Sequence, residues 1–169
     1  SLFLGVNLYK KKMFVKSILG RTLSHAGFGQ FIVSVIANAT YSEEKIYDAK
    51  VKDILELNEH QFVFEQVNRV EGENYSSIQA VFNLLRDDKP INQFTPEIRF
   101  YNDPPTATSE TSIVQGVFKD IYIVMNVPQY QDSISVRIHI KPFMNFIWLG
   151  VLMIIIGGIF SIFQRVKSA

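Results

Sequence analysis

The sequence predicts a membrane protein of the α+β class, in which two transmembrane helices flank a β-rich extracytoplasmic domain, a small antiparallel barrel or sandwich. Two apolar stretches, 17–41 and 142–163, are long enough to cross a bilayer. Between them, residues 42–141 form short runs of alternating apolar and polar side chains, which is typical of half-buried strands. All 16 acidic and ten of the 17 basic residues lie in this middle segment, which therefore carries a net charge of −6.

The remaining seven basic residues predict the topology. They lie before or at the start of the first apolar stretch and after the second, and positive charge flanks membrane helices mainly on the cytoplasmic side. The expected segments are a cytoplasmic-side basic segment that ends a preceding region (1–16), a transmembrane helix (17–41), a β-rich domain on the opposite side (42–141), a C-terminal transmembrane helix (142–163) and a cytoplasmic tail (164–169).

The first apolar stretch contains ionisable side chains. A helix from Ser17 to Thr40 would be roughly 36 Å long and would carry Arg21, His25 and Gly29 on one face, each one turn from the next. An ionisable group at that depth is costly unless it has a partner, so its default interpretation is functional. The glycine removes side-chain bulk where a flat ligand or a second helix could approach. His25 is therefore a candidate axial ligand of a metal.

From the pattern alone, an interhelical hydrogen bond or a proton-path role for His25 ranks ahead of haem ligation. Haem is favoured by the single intramembrane histidine and by the small residues around it. Ligation needs one imidazole nitrogen aimed at the iron and the other donating a hydrogen bond that fixes the tautomer. Arg21 could contact a haem propionate, and its simpler role is to extend its charge to the membrane surface.

The second apolar stretch, from Phe143 to Phe163, has no charged residue and has Trp148 near its start as a candidate interfacial anchor. The chain begins at Ser1, without methionine. We expect it to be the C-terminal piece of a longer membrane protein, with a naturally split gene product as the alternative.

The middle segment predicts five or six strands with hairpin-length links. The predicted strands 61–70 and 76–86 should pair as a hairpin through a turn at residues 71–74, and residues 87–90 should form another turn. Residues 41–57 mix charged and apolar side chains, and residues 102–112 are predicted to form a loop. The predicted strands are 61–70, 76–86, 94–101, 120–127 and 133–140.

Other chemistry has little support. The chain has no cysteine, which excludes disulfides and thiolate ligation within it, and no phosphate loop, nucleophile elbow or paired metal-ligand spacing. His60 is expected to be a solvated turn residue, and His139 to lie on the polar face of its strand. The basic residues are juxtamembrane and have no interleaved aromatic residues, so no nucleic-acid binding is expected.

Several motifs in order resemble the C-terminal part of the CcmF-type haem lyases of cytochrome c maturation, a group that includes the CycK and NrfE proteins. The first is similar to the family's Arg-x-x-x-His-x-Gly transmembrane motif, and the others to its strand and last-helix patterns. Together they cover roughly residues 20–163. The motifs are RTLSHAG (21–27), PEIRFY (96–101), TSETSI (108–113), DIYI (120–123), KPF (141–143) and IWLG (147–150).

The resemblance implies a function. Members of the family accept haem from a haem chaperone and attach it through thioethers to apocytochrome c, with an apocytochrome chaperone among the other maturation subunits. They also hold a haem b in the membrane between two histidines, one of which His25 matches. The resemblance also implies that the membrane is the bacterial inner (plasma) membrane or the mitochondrial inner membrane, with residues 42–141 on the periplasmic or intermembrane side. The other haem-handling residues would lie upstream, so this chain should not be a lyase by itself.

The competing hypothesis is a non-enzymatic two-pass membrane subunit, used for assembly or interaction, whose extracytoplasmic β domain binds another protein. His25 would then only make an interhelical hydrogen bond. A longer reading frame upstream with further hydrophobic spans would favour the lyase.

Overall fold

The computed structural model describes the backbone of residues 2–126 and 133–168, and the side chains of 18–126 and 133–163. The chain forms two compact units, a helical unit (Ser1–Tyr41 with Phe143–Ala169) and a β unit (Ser42–Pro142). In order along the chain, the elements are α1 (Leu2–Tyr41), β1 (Glu43–Ala49), β2 (Ile54–Leu57), β3 (His60–Glu71), β4 (Tyr75–Arg86), β5 (Lys89–Phe94), β6 (Glu97–Asn102), β7 (Pro105–Glu110), β8 (Ser112–Val114), β9 (Lys119–Met125), β10 (Ile134–Pro142) and α2 (Met144–Ser168).

The two helices pack antiparallel through glycines. Residues 20, 27 and 34 of α1 are buried at a spacing of seven, as are Gly150 and Gly157 of α2, which is the period of a left-handed helix pair. A Cβ built on Gly27 would lie 2.7 Å from the Cβ of Met153, and one on Gly157 would lie 2.6 Å from the carbonyl of Gly20. The two backbones are therefore in contact, as small residues allow in membrane helix pairs. We call Gly20, Gly27, Gly150 and Gly157 the glycine interface.

Helix α1 begins at Leu2 and not near Ser17, so the predicted start of the helix was wrong. The segment before Ser17 contains no proline and is rich in leucine and lysine, which favour helix. Within the described residues, one segment is long and apolar enough to cross a membrane by length and composition, Met144–Phe163 of α2. Polar residues such as His25, Gln30 and Asn38 lower the mean hydropathy of α1.

The β unit contains two antiparallel sheets. One has the order β1-β10-β9-β8, and the other has the order β2-β3-β4-β6-β7 with β5 also paired to β4. Strands β3 and β4 form a long hairpin, with Gln61 opposite Leu85 and Glu71 opposite Ser76. The turn from β4 to β5 has positive φ at Asp87 and Asp88, as a two-residue type I′ turn requires.

The core of the β unit draws apolar side chains from both sheets. Phe64 stacks on Phe82 with ring centroids 4.5 Å apart, and Phe62 meets Phe94 edge-on at 5.9 Å. The four-stranded sheet contributes fully buried residues of β9 and β10 to the same cluster: Ile123, Met125, Val136 and Ile138. The prediction of a β-rich domain with a barrel or sandwich architecture is thus confirmed as a β-sandwich.

The strand predictions were right where apolar alternation is strong and incomplete elsewhere. The predicted runs 61–70, 76–86 and 94–101 correspond to β3, β4 and β6. Those at 120–127 and 133–140 correspond to β9 and β10, although Val127 lies outside the described residues. The predicted loop 102–112 was wrong, because it contains β7 and the start of β8, and β1, β2 and β5 were not foreseen.

Candidate functional site

His25 lies on the face of α1 that points away from the glycine interface. Its neighbours on this face, Arg21 one turn before and Gly29 one turn after, are exposed like His25 itself. A Cβ built on Gly29 would meet no atom within 4 Å. The three residues that the sequence groups together therefore share one open face, and α2 does not cover it.

A hydrogen bond within the helix fixes the tautomer of His25. Its Nδ1 lies 2.9 Å from the carbonyl oxygen of Arg21. A carbonyl oxygen can only accept, so Nδ1 carries the proton and donates it. In the neutral ring the lone pair is then on Nε2. This is the arrangement that metal-ligating histidines usually have, with one nitrogen held by a backbone oxygen and the other available to a ligand.

The helix pair also contains polar contacts apart from His25. Ser24 donates a hydrogen bond to the carbonyl oxygen of Ile154 at 3.3 Å, across the two helices, and Gln30 donates to Ser34 at 2.9 Å within α1. Ser24 therefore makes a hydrogen bond between the two helices, whereas the hydrogen bond of His25 to Arg21 lies within α1. Arg21 approaches His25 through its backbone carbonyl.

The motif residues of the six-stranded sheet form a charged cluster. Glu97 is nearly buried, and it accepts hydrogen bonds from Arg99 Nε at 2.6 Å and from the Ser77 hydroxyl at 3.0 Å. The Arg99 guanidinium lies over the ring of Tyr75, 4.8 Å from its centroid. Hydrogen bonding to Tyr101 and Glu97 holds the pKa of Arg99 above its usual value. The cluster has its own charges paired, which is the pattern of a structural site.

His60 is not the solvated turn residue that the sequence predicts. It is the first residue of β3, is 9% exposed and leaves its Nδ1 without a hydrogen-bond partner. Burial and the nearby Lys119 ammonium lower its pKa. An open cavity of about 440 Å³ adjoins it, lined by side chains of both charge signs such as Glu56, Arg86 and Asp87. Sequence reasoning missed this burial because the histidine directly follows the Asn58–Glu59 turn.

His139 lies on the polar face of β10, as predicted, with its Nδ1 3.4 Å from Glu44. Across the described residues, no group of three or more histidine, cysteine, aspartate or glutamate side chains is arranged to hold a metal ion.

Comparison with known proteins identifies the β unit. Residues 40–142 match the family model described as the CcmF C-terminal beta-sandwich. The chain is 29% identical over 150 residues to the cytochrome c-type biogenesis protein CcmF of Pseudomonas aeruginosa, covering 89% of this chain and 23% of that protein. It is 31% identical over 148 residues to CcmF of Escherichia coli, covering 88% and 23%.

A solved structure has the same fold. The chain superposes on a cytochrome c heme lyase CcmF with a TM-score of 0.68 at 14% sequence identity, covering 88% of this chain and 25% of that one. The chain thus spans about a quarter of the length of the relatives that it matches. Because the family model matches more than half of the chain, over the sandwich just described, the chain belongs to the CcmF family and corresponds to the C-terminal region of CcmF-type proteins.

Proposed function

We propose that the chain is the C-terminal part of a CcmF-type haem lyase, a holocytochrome c synthase, and that His25 is one axial ligand of a haem b within the membrane. The observation that carries the proposal is the state of His25. Its ring is fixed through Nδ1, and its Nε2 lies on an open helix face. The names of the relatives support a role in cytochrome c maturation.

The residues around His25 fit a haem. Nε2 would supply one nitrogen ligand, the Arg21 carbonyl holds the ring in orientation, and the missing side chain at Gly29 would leave room for a flat macrocycle. The Arg21 guanidinium offers a positive charge for a propionate. Haem b at this position would supply a redox centre that keeps the iron of the substrate haem ferrous. The second ligand would come from a part of the longer protein that this chain does not contain.

The packing of the helix pair supports the proposed topology. Antiparallel packing brings the end of α1 before Gly20 and the end of α2 after Ser161 together, and both ends are rich in basic residues. The positive-inside rule then favours a cytoplasmic location for both ends of the chain, with 17–41 and 142–163 crossing the inner membrane. The β-sandwich would face the periplasm or the intermembrane space.

The partners proposed for the intact protein are the haem chaperone and the apocytochrome chaperone of the maturation system, together with apocytochrome c. The thioether bonds would be made by the intact protein and not by this chain alone.

The test of the function measures cytochrome c maturation in cells whose own copy of the intact protein is deleted and replaced by a variant. His25→Ala should lower covalently haem-bearing cytochrome c by about tenfold or more, at an unchanged level of the variant protein in the membrane. His139→Ala is the matched control, because that histidine lies in the β unit beside Glu44, and it should keep maturation close to wild type. Full maturation with His25→Ala would contradict the proposed role.

A further inference from the structure

The cavity beside His60 lies at the end of the six-stranded sheet where β3 begins and β4 ends. It has a volume of about 440 Å³, and its walls come from the β2–β3 turn, the β4–β5 turn and the strand ends beside them. Asn58 and Asp87 have positive φ, so both turns are tight. Volumes of about 300–1,000 Å³ are typical of ligand sites. We call this the His60 cavity.

His60 is a buried polar group with an unused hydrogen-bonding atom. Its side chain lines the cavity and is 10% exposed, and its Nδ1 has no hydrogen-bond partner among the described residues. Glu59 Oε1 lies 3.9 Å from Nδ1, which is too long for a hydrogen bond. The Glu59 side chain is 77% exposed, so it can move aside and let a ligand reach Nδ1. An unpaired buried polar atom costs free energy, which a ligand that pairs with it would recover.

The charges that line the His60 cavity favour a cationic ligand. Lys119 Nζ donates a hydrogen bond to Glu59 at 2.9 Å, so this carboxylate already has a positive partner. The lining has two further carboxylates, Glu56 and Asp87, and one guanidinium, Arg86. The excess of one carboxylate leaves the lining negative, and a ligand with a positive charge complements it.

The other lining residues favour a basic side chain that belongs to a polypeptide. Leu84, Leu85 and Ile91 offer apolar surface to the methylene stem of a lysine or an arginine. The N–H groups of Arg86 can donate to the carbonyl oxygens of the peptide that carries this side chain. In the neutral tautomer with its proton on Nε2, His60 can accept a hydrogen bond at Nδ1 from the ammonium or guanidinium. A lysine or arginine residue within a peptide thus matches both charge signs of the lining.

We propose that the His60 cavity binds a lysine or arginine side chain of a partner polypeptide, with Glu56 and Asp87 as the carboxylates that meet its charge and His60 Nδ1 as an acceptor. Every contact in this inference lies within the β unit, so it does not depend on haem ligation by His25. It adds to the sandwich a site that recognises a segment of a protein.

The test follows the imidazole nitrogens by NMR in the 169-residue chain, labelled with isotopic histidine and solubilised in detergent micelles. The chain has three histidines, and His60→Phe assigns the His60 signals by their loss. The probes are short blocked alanine peptides with lysine or arginine at the centre. The control peptide has norleucine at that position, which keeps an apolar stem and lacks the charge.

We expect the basic peptides to shift the Nδ1 resonance of His60 in a saturable manner and the norleucine peptide to leave it unchanged. The resonances of His25 and His139 are internal references and should not move. The absence of a saturable His60 shift with either basic peptide would overturn the inference, and so would an equal shift with the norleucine peptide.

Variants of the two carboxylates locate the binding. Glu56→Gln and Asp87→Asn should each weaken the affinity for the basic peptides by about threefold or more, because each removes a charge that meets the cation. Asparagine tolerates positive φ, so the second variant keeps the β4–β5 turn. Glu71→Gln, at the other end of β3, is the matched control and should leave the affinity unchanged. Far-UV circular dichroism checks the fold of each variant, and an equal loss of affinity in Glu71→Gln and in the cavity variants would overturn the inference.

Discussion

At the scale of single residues, the proposed chemical role of the helical unit depends on the orientation of His25. The motif and the helical period predicted that Arg21, His25 and Gly29 share a face, and the structure agrees. The sequence could not predict the hydrogen bond from Nδ1 to the Arg21 carbonyl, because it depends on the side-chain rotamer and not on residue spacing. It also could not predict the burial of His60, which depends on how the β2–β3 turn packs.

The buried His60 should make the stability of the β unit depend on pH. Its folded-state pKa is below that of the unfolded chain, so protonation favours the unfolded state, and stability should fall as the pH drops from about 7 through about 6.5 and below. His60→Phe, which keeps a ring beside Phe62, should reduce this loss. Urea unfolding between about pH 7 and about pH 5.5 measures it.

His139→Gln is the comparison for this series. Burial also lowers the pKa of His139, but its side chain is 21% exposed and that of His60 is 10% exposed, so we expect this variant to remove a smaller part of the pH dependence. An identical pH slope for wild type and His60→Phe would contradict the argument.

At the scale of elements, apolar alternation was sufficient to predict β3, β4, β6, β9 and β10. It failed for β7, whose sequence PTATSE has no large apolar residue and which forms because it completes a ladder with β6. It failed also for the charged β1, in which Ala49 is buried and Tyr47 is half-buried, so no aliphatic series marks the inward face. In both strands, tertiary pairing overrides a weak local preference.

The glycine interface gives a matched pair of substitutions on one helix. Gly27→Ala forces a Cβ into the backbone of α2 and should destabilise the helix pair by about 1–3 kcal/mol. Gly29→Ala meets open space and should be neutral or slightly stabilising, since alanine favours helix by about 1 kcal/mol over glycine. Thermal unfolding in detergent, followed by circular dichroism, should separate the two. Equal midpoints for both variants would mean that Gly27 does not lie in a tight contact.

At the scale of the whole molecule, the two apolar stretches and the charge asymmetry predicted the division into a helical unit and a β unit. The sequence left the barrel and the sandwich open, because sheet closure depends on strand pairings that alternation does not encode. The helix pair uses one face of α1 for the glycine interface and leaves the His25 face uncovered. The chain therefore supplies one half of the proposed haem site, and the rest of the longer protein would supply the other half.

The proposed topology can be tested because the chain has no cysteine. Single cysteines placed by Glu73→Cys in the β3–β4 turn and by Lys167→Cys near the C-terminus should react with a membrane-impermeant maleimide from opposite sides of the inner membrane. In intact spheroplasts, residue 73 should be labelled and residue 167 should be labelled only after lysis. Labelling of both positions before lysis would contradict two crossings.

The central claim is that His25 ligates haem b, and the absorption spectrum of the purified intact protein tests it most directly. The oxidised and dithionite-reduced wild type should show a low-spin b-type spectrum. His25→Ala should lose this spectrum or convert it to a high-spin form, while His139→Ala should leave it unchanged. If His25→Ala retains the wild-type bis-histidine spectrum, His25 is not the ligand. If the wild type binds no haem, a two-pass interaction subunit becomes the better description of the chain.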